Sequence, residues 1–434
     1  MKDIFTSYLA QAVSLLANFV GAVIAARLLL PAGRGELGQV MLWPTLISVL
    51  GAFSIGDAII YFTAGRQAPA RRVLASAFAI GAILSVILVG AGLVALPYLH
   101  TEPSPDVLRG SEIYLLFIPL TYASGYVVCA CQAHRRFDLW NFLRGLVSCA
   151  YAALAVVLWL TGQATVLAFT VAGLIANFIV FATGAMLLAR FRALGLKPDL
   201  SVMRRMFAFG ARLHLGDLLA VANQRIDQIL IARWLPAAAF GHYLVAMSIY
   251  TSAVGLVLLL GSLVLPKVAA AESDAARAEA LGRYLRLALV LALPGAIALI
   301  LLSPWLVGLV YGRAYQPTAV AVQIVSFGIV PAACKFLFVQ TFKAVGRART
   351  IVLAECAALF VNAIGLVLLI PPFGIEGAAA SVALAQATAF VMLTVAVRRE
   401  LGYPLLPLFK PSANDLLLVV EQLGKLRRSS AQAS

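Results

Sequence analysis

Asp217, Gln224 and Gln228 fall on one face of a long apolar segment, and Gln11 and Asn18 hold the matching places in an earlier one. A shift of about 206 positions lays Gln11 on Asp217, Asn18 on Gln224 and Arg27 on Arg233. At about 100° per residue, His214, Asp217, Gln224, Arg225 and Gln228 share an arc of about 100°; Asn223 and Asp227 lie on an adjacent face and Arg212 further round. An ionised group facing lipid near the bilayer midplane costs at least ~2.5–3.5 kcal/mol, so these groups should turn toward an interior that holds water. Carboxylates there can carry protons or cations, and amides can hydrogen-bond hydroxyl groups. Arginine and lysine can pair with phosphate oxygens, the first as a fork and the second as a point charge. A polar stripe repeated in both halves of a membrane chain marks a duplicated bundle with a wet central cavity for polar cargo.

Each of these residues also has a plainer reading. The polar set around 212–228 could be hydrogen bonds and ion pairs that lock helices together. Lys335 and Glu355 sit in the cytoplasmic third of adjacent segments, where antiparallel spans would pair them as a salt bridge; alternatively Lys335 joins Arg212 in a cationic phosphate site. Ser7, Gln11, Ser14, Asn18, Gly21 and Ala25 recur at steps of three and four, a pattern that also suits close helix packing. Asp57, near the cytoplasmic end of the second span, is read as a cap or a partner of Arg66, with a coupling acid as the alternative.

The elements that must position these groups are membrane helices. The chain has 434 residues, 62% hydrophobic and 12% charged, against roughly 25% charged in soluble domains. Its mean hydropathy is +0.97. Apolar runs of about 20 residues suit a ~30 Å hydrocarbon core, and they lack the alternation of barrel strands. About twelve spans are expected, near 8–28, 38–63, 73–97, 111–132, 143–162, 165–190, 207–234, 238–266, 285–310, 316–342, 350–370 and 374–397, broken at Pro31-Ala-Gly-Arg-Gly, Pro97 to Pro105, Pro236, Pro371-Pro372 and charge clusters. The net charge of +15 is a positive-inside bias rather than a nucleic-acid footprint. One set of loops holds most of the basic residues, while the other has only Arg27, Arg34, Arg109, Arg233 and Arg313. Both termini are therefore expected in the cytoplasm, which agrees with an even number of spans.

The halves repeat beyond the polar stripe. Pro119 followed by Gln132-Ala133 parallels Pro331 followed by Lys343-Ala344, and Gly162 parallels Gly374. Six spans per half gives two lobes of the same orientation. The expected fold class is an all-α polytopic membrane protein with two parallel six-helix lobes around a central cavity: 1–190, then a cytoplasmic linker 191–206, a second lobe 207–400 and a cytoplasmic tail 401–434. Within the tail, 416–425 could lie in the interface as an amphipathic helix. No phosphate-binding Gly-rich loop with Lys-Ser/Thr appears, and four scattered histidines form no metal cluster, so no enzyme, cofactor or metal is expected. Cys129, Cys131, Cys149, Cys334 and Cys356 read as small apolar fillers.

Three stretches resemble the Wzx-type polysaccharide flippases of the multidrug/oligosaccharidyl-lipid/polysaccharide (MOP) superfamily: Ala-Arg-Leu-Leu-Leu-Pro-Ala-Gly-Arg-Gly-Glu-Leu-Gly at 26–38, Arg-Ile-Asp-Gln-Ile-Leu-Ile-Ala-Arg-Trp-Leu at 225–235 leading to Gly241-His-Tyr243, and Arg-Phe-Asp-Leu-Trp-Asn-Phe-Leu-Arg at 136–144. The resemblance implies a MATE-like pair of lobes around a V-shaped cavity with alternating access. It further implies that an undecaprenyl-diphosphate-linked oligosaccharide is flipped from the cytoplasmic to the periplasmic leaflet of a bacterial inner membrane. On that reading Gln11, Asn18, Gln224 and Gln228 bind sugar hydroxyls, and Arg212, Arg225 and Lys335 bind the diphosphate. Asp217, Asp227 and Glu355 are the candidates for coupling to H+ or Na+. A polysaccharide polymerase and glycosyltransferases are the expected protein partners, with membrane lipids around the chain. The alternatives are a cation-coupled multidrug exporter of the same superfamily, a lipid II flippase, or a non-transporting scaffold of a polysaccharide assembly complex.

Overall fold

In hydrocarbon every backbone N–H and C=O must find a partner within the protein, which favours long helices. A computed structural model describes residues 2–100, 104–190, 195, 197–261, 268 and 271–410. The side chains of 2–10, 215–217, 219–220, 223 and 256–261 lie outside the described set, as do 416–425 and much of the 191–206 linker's first half. Among the described residues the elements are helical and no strand occurs.

The first helix, α1, runs Lys2–Leu50 and is interrupted at Leu30 (φ 58°, ψ 176°). Leu30 precedes Pro31, whose ring crowds the α conformation of the residue before it. Its apolar part, Gln11–Leu50, has 40 residues, about 60 Å of helix and so enough for two crossings. The chain then breaks again before α2 (Ile55–Ala64), with Phe53 and Ser54 both at φ 44°. The sequence reading ran one span over 38–63, with no proline to mark this second break. The break persists because other helices satisfy the carbonyls it frees: Tyr122 donates to Ser48 O at 2.6 Å, and His214 Nε2 lies 3.0 Å from Leu50 O.

The chain continues through α3 (Ala70–Leu99), α4 (Pro105–Tyr114), α5 (Phe117–Ala133), α6 (Phe137–Leu160) and α7 (Val166–Arg190). Next come α8 (Leu200–Trp234), α9 (Ala237–Gly261), α10 (Asp274–Tyr311), a 3-10 turn Arg313–Tyr315, α11 (Thr318–Ser326), α12 (Ile329–Ala344), α13 (Ala348–Glu400) and the short α14 (Leu405–Phe409). Among the described residues eight helices are long and apolar enough to cross a membrane, and α11 with α12, bent by 42°, makes a ninth. The second halves of α1 and α13 and the charged α8 bring the sum to twelve. α13 has 53 residues, about 80 Å, and doubles back at Gly374 (φ 56°), a conformation glycine reaches without steric cost.

The repeat is written in the backbone. The fourth span is interrupted in both halves, between Tyr114 and Phe117 and between Ser326 and Ile329. The turn before the fifth span is left-handed in both, at Arg135 (φ 57°) and Gly346 (φ 73°), as is the turn before the sixth, at Gly162 (φ 69°) and Gly374 (φ 56°).

Packing defines two compact units, Met1–Val245 with Val310–Tyr315, and Ala246–Leu309 with Gln316–Ser434, whereas the sequence leads one to expect a division at 191–206. In the first unit α2, α3, α5 and α8 share a core of Ile55, Ile59, Phe62, Val73, Ile118, Val127 and Met206. In the second, Ala358 on one arm of α13 packs on Ala385 and Ala389 of the other, small residues that let the arms approach closely. Phe338, Phe390 and Phe409 form a ring cluster that seats α14. Glu400, the last residue of α13, accepts from Arg347 Nη1 at 3.0 Å and from Thr350 Oγ1 at 2.9 Å, at the start of the same helix.

Candidate functional site

Most of the sequence-selected residues ride on α8, which Asp199 starts by accepting from the amides of Ser201 (2.9 Å) and Val202 (3.3 Å). A side-chain oxygen there satisfies amide groups that the first turn would leave unpaired. Ten residues on, Gly210 brings α8 against the Phe53 carbonyl, where a methyl group would overlap it. One turn later His214 is buried, 3.0 Å from Leu50 O and 3.4 Å from Ser54 Oγ, with its ring 5.4 Å from that of Phe53. The sequence arc grouped His214 with Asp217. The structure makes it a strut across the α1–α2 break, with both ring nitrogens engaged.

Asp227 is 4% exposed. The hydroxyl of Tyr243, on α9, donates to its Oδ2, while its Oδ1 is buried with no hydrogen-bond partner. Tyr243 is itself fully buried and was not picked out as a ligand in the sequence; its only signal was its place in Gly241-His-Tyr243, past the turn at Pro236. Arg225 and Gln228, one turn apart and half-buried, are joined by Nη1 donating to Oε1 at 2.7 Å. Glutamine is neutral, so the charge on Arg225 is not cancelled by it. Arg212 and Gln224 on α8 are exposed, and so are Gln11 and Asn18 on α1. Within a membrane, polar groups so placed must meet water or a polar ligand rather than lipid. The side chains of Asp217 and Ser7 lie outside the described residues.

In the second unit Lys335 on α12 and Glu355 on α13 form an ion pair, with Nζ 3.0 Å from Oε1 and 3.3 Å from Oε2. Lys335 is 18% exposed and Glu355 35%. Sequence reasoning anticipated the pair. Among the described residues no group of three or more His, Cys, Asp or Glu could hold a metal ion, and the five cysteines are thiols. The described charges are thus unequal in availability: Asp227 is enclosed and Glu355 has a lysine, whereas Arg212 is open and Arg225 keeps its charge.

Comparison with solved structures gives the class. The chain is similar to the lipid II flippase MurJ in an inward closed conformation, with TM-score 0.77 and 15% identity over 96% of this chain and 92% of that one. It is similar to an inward-facing MATE-family multidrug resistance transporter of the MOP superfamily (TM-score 0.68, 12% identity, 92% and 94% covered). A mutant of the Vibrio cholerae MATE transporter VcmN also matches (TM-score 0.61, 16% identity, 94% and 98% covered). The fold is therefore that of the MOP transporters, all-α and multi-pass in the membrane. None of the curated protein sequences compared with it matches. The family model described as "Polysaccharide biosynthesis protein" matches residues 24–320, and the chain belongs to that family.

Proposed function

We propose that this chain flips an undecaprenyl-diphosphate-linked oligosaccharide from the cytoplasmic to the periplasmic leaflet of a bacterial inner membrane, by alternating access, to supply surface polysaccharide synthesis. The observation that carries this reading is the availability of charge. Of the two candidate acids with described side chains, Asp227 is enclosed and Glu355 is paired with Lys335, while Arg212 is exposed and Arg225 keeps its charge next to the amides Gln224 and Gln228. A diphosphate needs that cationic surface, and sugar hydroxyls need neutral amides. A cationic drug needs accessible carboxylates, so the exporter reading is disfavoured.

Each part then has a task. Arg212 and Arg225, about 20 Å apart along α8, hold the diphosphate in turn; Lys335 is a further phosphate cation once its pair with Glu355 opens, and Gln11, Asn18, Gln224 and Gln228 hold the sugar. Asp217 or Asp227 takes up the coupling proton or sodium ion. The repeats 1–190 and 207–400 move about the linker 191–206, with both termini and the tail 401–434 in the cytoplasm. A polymerase and glycosyltransferases work on either side of the flip.

The test is deletion of the gene in its host, followed by the leaflet distribution of lipid-linked oligosaccharide and drug sensitivity. Accumulation in the cytoplasmic leaflet with loss of surface polysaccharide, rescued by this chain and not by Arg225→Ala, is the expected result. Unchanged glycan with greater sensitivity to cationic drugs would replace this reading with the exporter.

A further inference from the structure

The offset that aligns Gln11 with Asp217 also aligns Pro31 with Ala237 and Gly35 with Gly241. These four residues meet. A methyl group at Gly35 would overlap the carbonyl oxygen of Ala237, and one at Gly241 would overlap the carbonyl oxygen of Pro31. The two clashes are the same clash seen from either repeat. Gly38 extends the contact to Leu244, which is its own counterpart under the same offset, and to Phe240. Residue i meets j′ while j meets i′, which is the signature of a contact lying on a two-fold axis.

Local preference does not explain the glycines. Both lie in the opening turns of helices, after Pro31 and Pro236, where alanine would be the better helix former. The close approach of the two backbones requires them. The contact is also built to separate. Its centre is backbone against backbone at Gly35 and Gly241, with the side chains of Phe240 and Leu244 packed beside it at Gly38. Each turn hangs from a non-helical residue, Leu30 (φ 58°, ψ 176°) in one repeat and Leu235 (φ −117°, ψ 154°) in the other.

We infer that the Gly35–Gly241 crossing is a symmetric latch: closed, it seals the passage on the side of the sparsely basic loops, and it must open once per transport cycle. A single added methyl group on either glycine props it open, and the two substitutions are equivalent by symmetry. The latch rests on the alternating-access reading, yet it can be measured without cargo.

The experiment places spin labels at two exposed positions flanking the contact, Ala32→Cys and Trp234→Cys, in a cysteine-free version of the full chain in lipid nanodiscs. Double electron–electron resonance then gives the distance distribution. The native glycines are expected to give a short population. Gly35→Ala and Gly241→Ala should each lower the closed-to-open ratio by about tenfold or more, by similar amounts, because only the closed form bears the overpacking. Retention of the short distance in both variants, or a shift in one alone, would overturn the latch. A second arm needs no glycine substitution. A short cleavable cross-linker between the same two cysteines should abolish complementation of the deletion strain, with recovery on cleavage, and undiminished complementation by the cross-linked protein would also overturn the latch. If the deletion strain has no polysaccharide defect, the proposed cargo fails while the distance measurement still decides the latch.

Discussion

Exchanging the charges of Lys335 and Glu355 separates a structural ion pair from a lysine that must sit where it does. At 3.0 Å and an effective dielectric constant near 20, the attraction is ~5 kcal/mol before desolvation. Desolvating both ions removes much of that. Glu355 keeps 35% of its side-chain surface exposed, which screens the pair further and leaves a net contribution of about 1–3 kcal/mol. Lys335→Ala removes the cation from a carboxylate inside the bundle and should cost about 2–4 kcal/mol, less than the ~3–5 kcal/mol of a fully enclosed pair. The readouts are thermal unfolding of the purified protein in detergent and the leaflet distribution of lipid-linked oligosaccharide in cells. Lys335→Ala is expected to unfold several degrees earlier. The double variant Lys335→Glu with Glu355→Lys is expected to recover most of that stability but little of the flipping, because the cation proposed to bind phosphate has moved to another helix. Full recovery of both would refute a substrate role for Lys335 and leave it a structural residue.

Further outcomes follow from the same geometry. His214→Ala leaves Leu50 O without its donor in a low-dielectric site and should destabilise by about 1–3 kcal/mol, with His214→Gln recovering part; equal melting of wild type and His214→Ala would show that the strut carries no load. Tyr243→Phe leaves the enclosed Asp227 carboxyl unpartnered and should cost about 1–3 kcal/mol, which Asp227→Leu added to Tyr243→Phe should largely restore; transport that survives in the doubly substituted protein would exclude Asp227 as the coupling acid. Outside the spans, burial pushes the His100 imidazole down to about 4, where its Nε2 lies 3.0 Å from Ser111 Oγ. The unfolded chain binds that proton near pH 6.5, so stability present above 6.5 should drain away as pH falls toward 4, and His100→Gln should flatten the melting profile across that window.

Much of this fold could be read from residue order because its determinants are local. Pro31 forces Leu30 out of the helix, Gly162 and Gly374 allow left-handed turns at matching places, and run length against bilayer thickness gives the span count. The Lys335–Glu355 pair was legible because the two spans are consecutive and antiparallel. The break at 51–54 was not, because what sustains it arrives from His214, more than 160 positions away, and from Tyr122. The same holds for Asp227: an amphipathic arc gives its direction, but only the packing of α9 on α8 shows that Tyr243 encloses it. Helical periodicity says which face is polar and nothing of how much of that polarity is already spent inside the protein.

The two repeats differ in how their ends are tied. Arg136 and Arg347 occupy the same turn in the two halves, each at the head of the fifth span. Arg136 takes its carboxylate from Asp138, two residues away, whereas Arg347 reaches Glu400 at the far end of α13, and Thr350 donates to the same group. In mechanical terms α13 is a hairpin pinned at its open mouth. A force applied at either tip is shared by both arms, so the last two spans turn together like the legs of a closed compass.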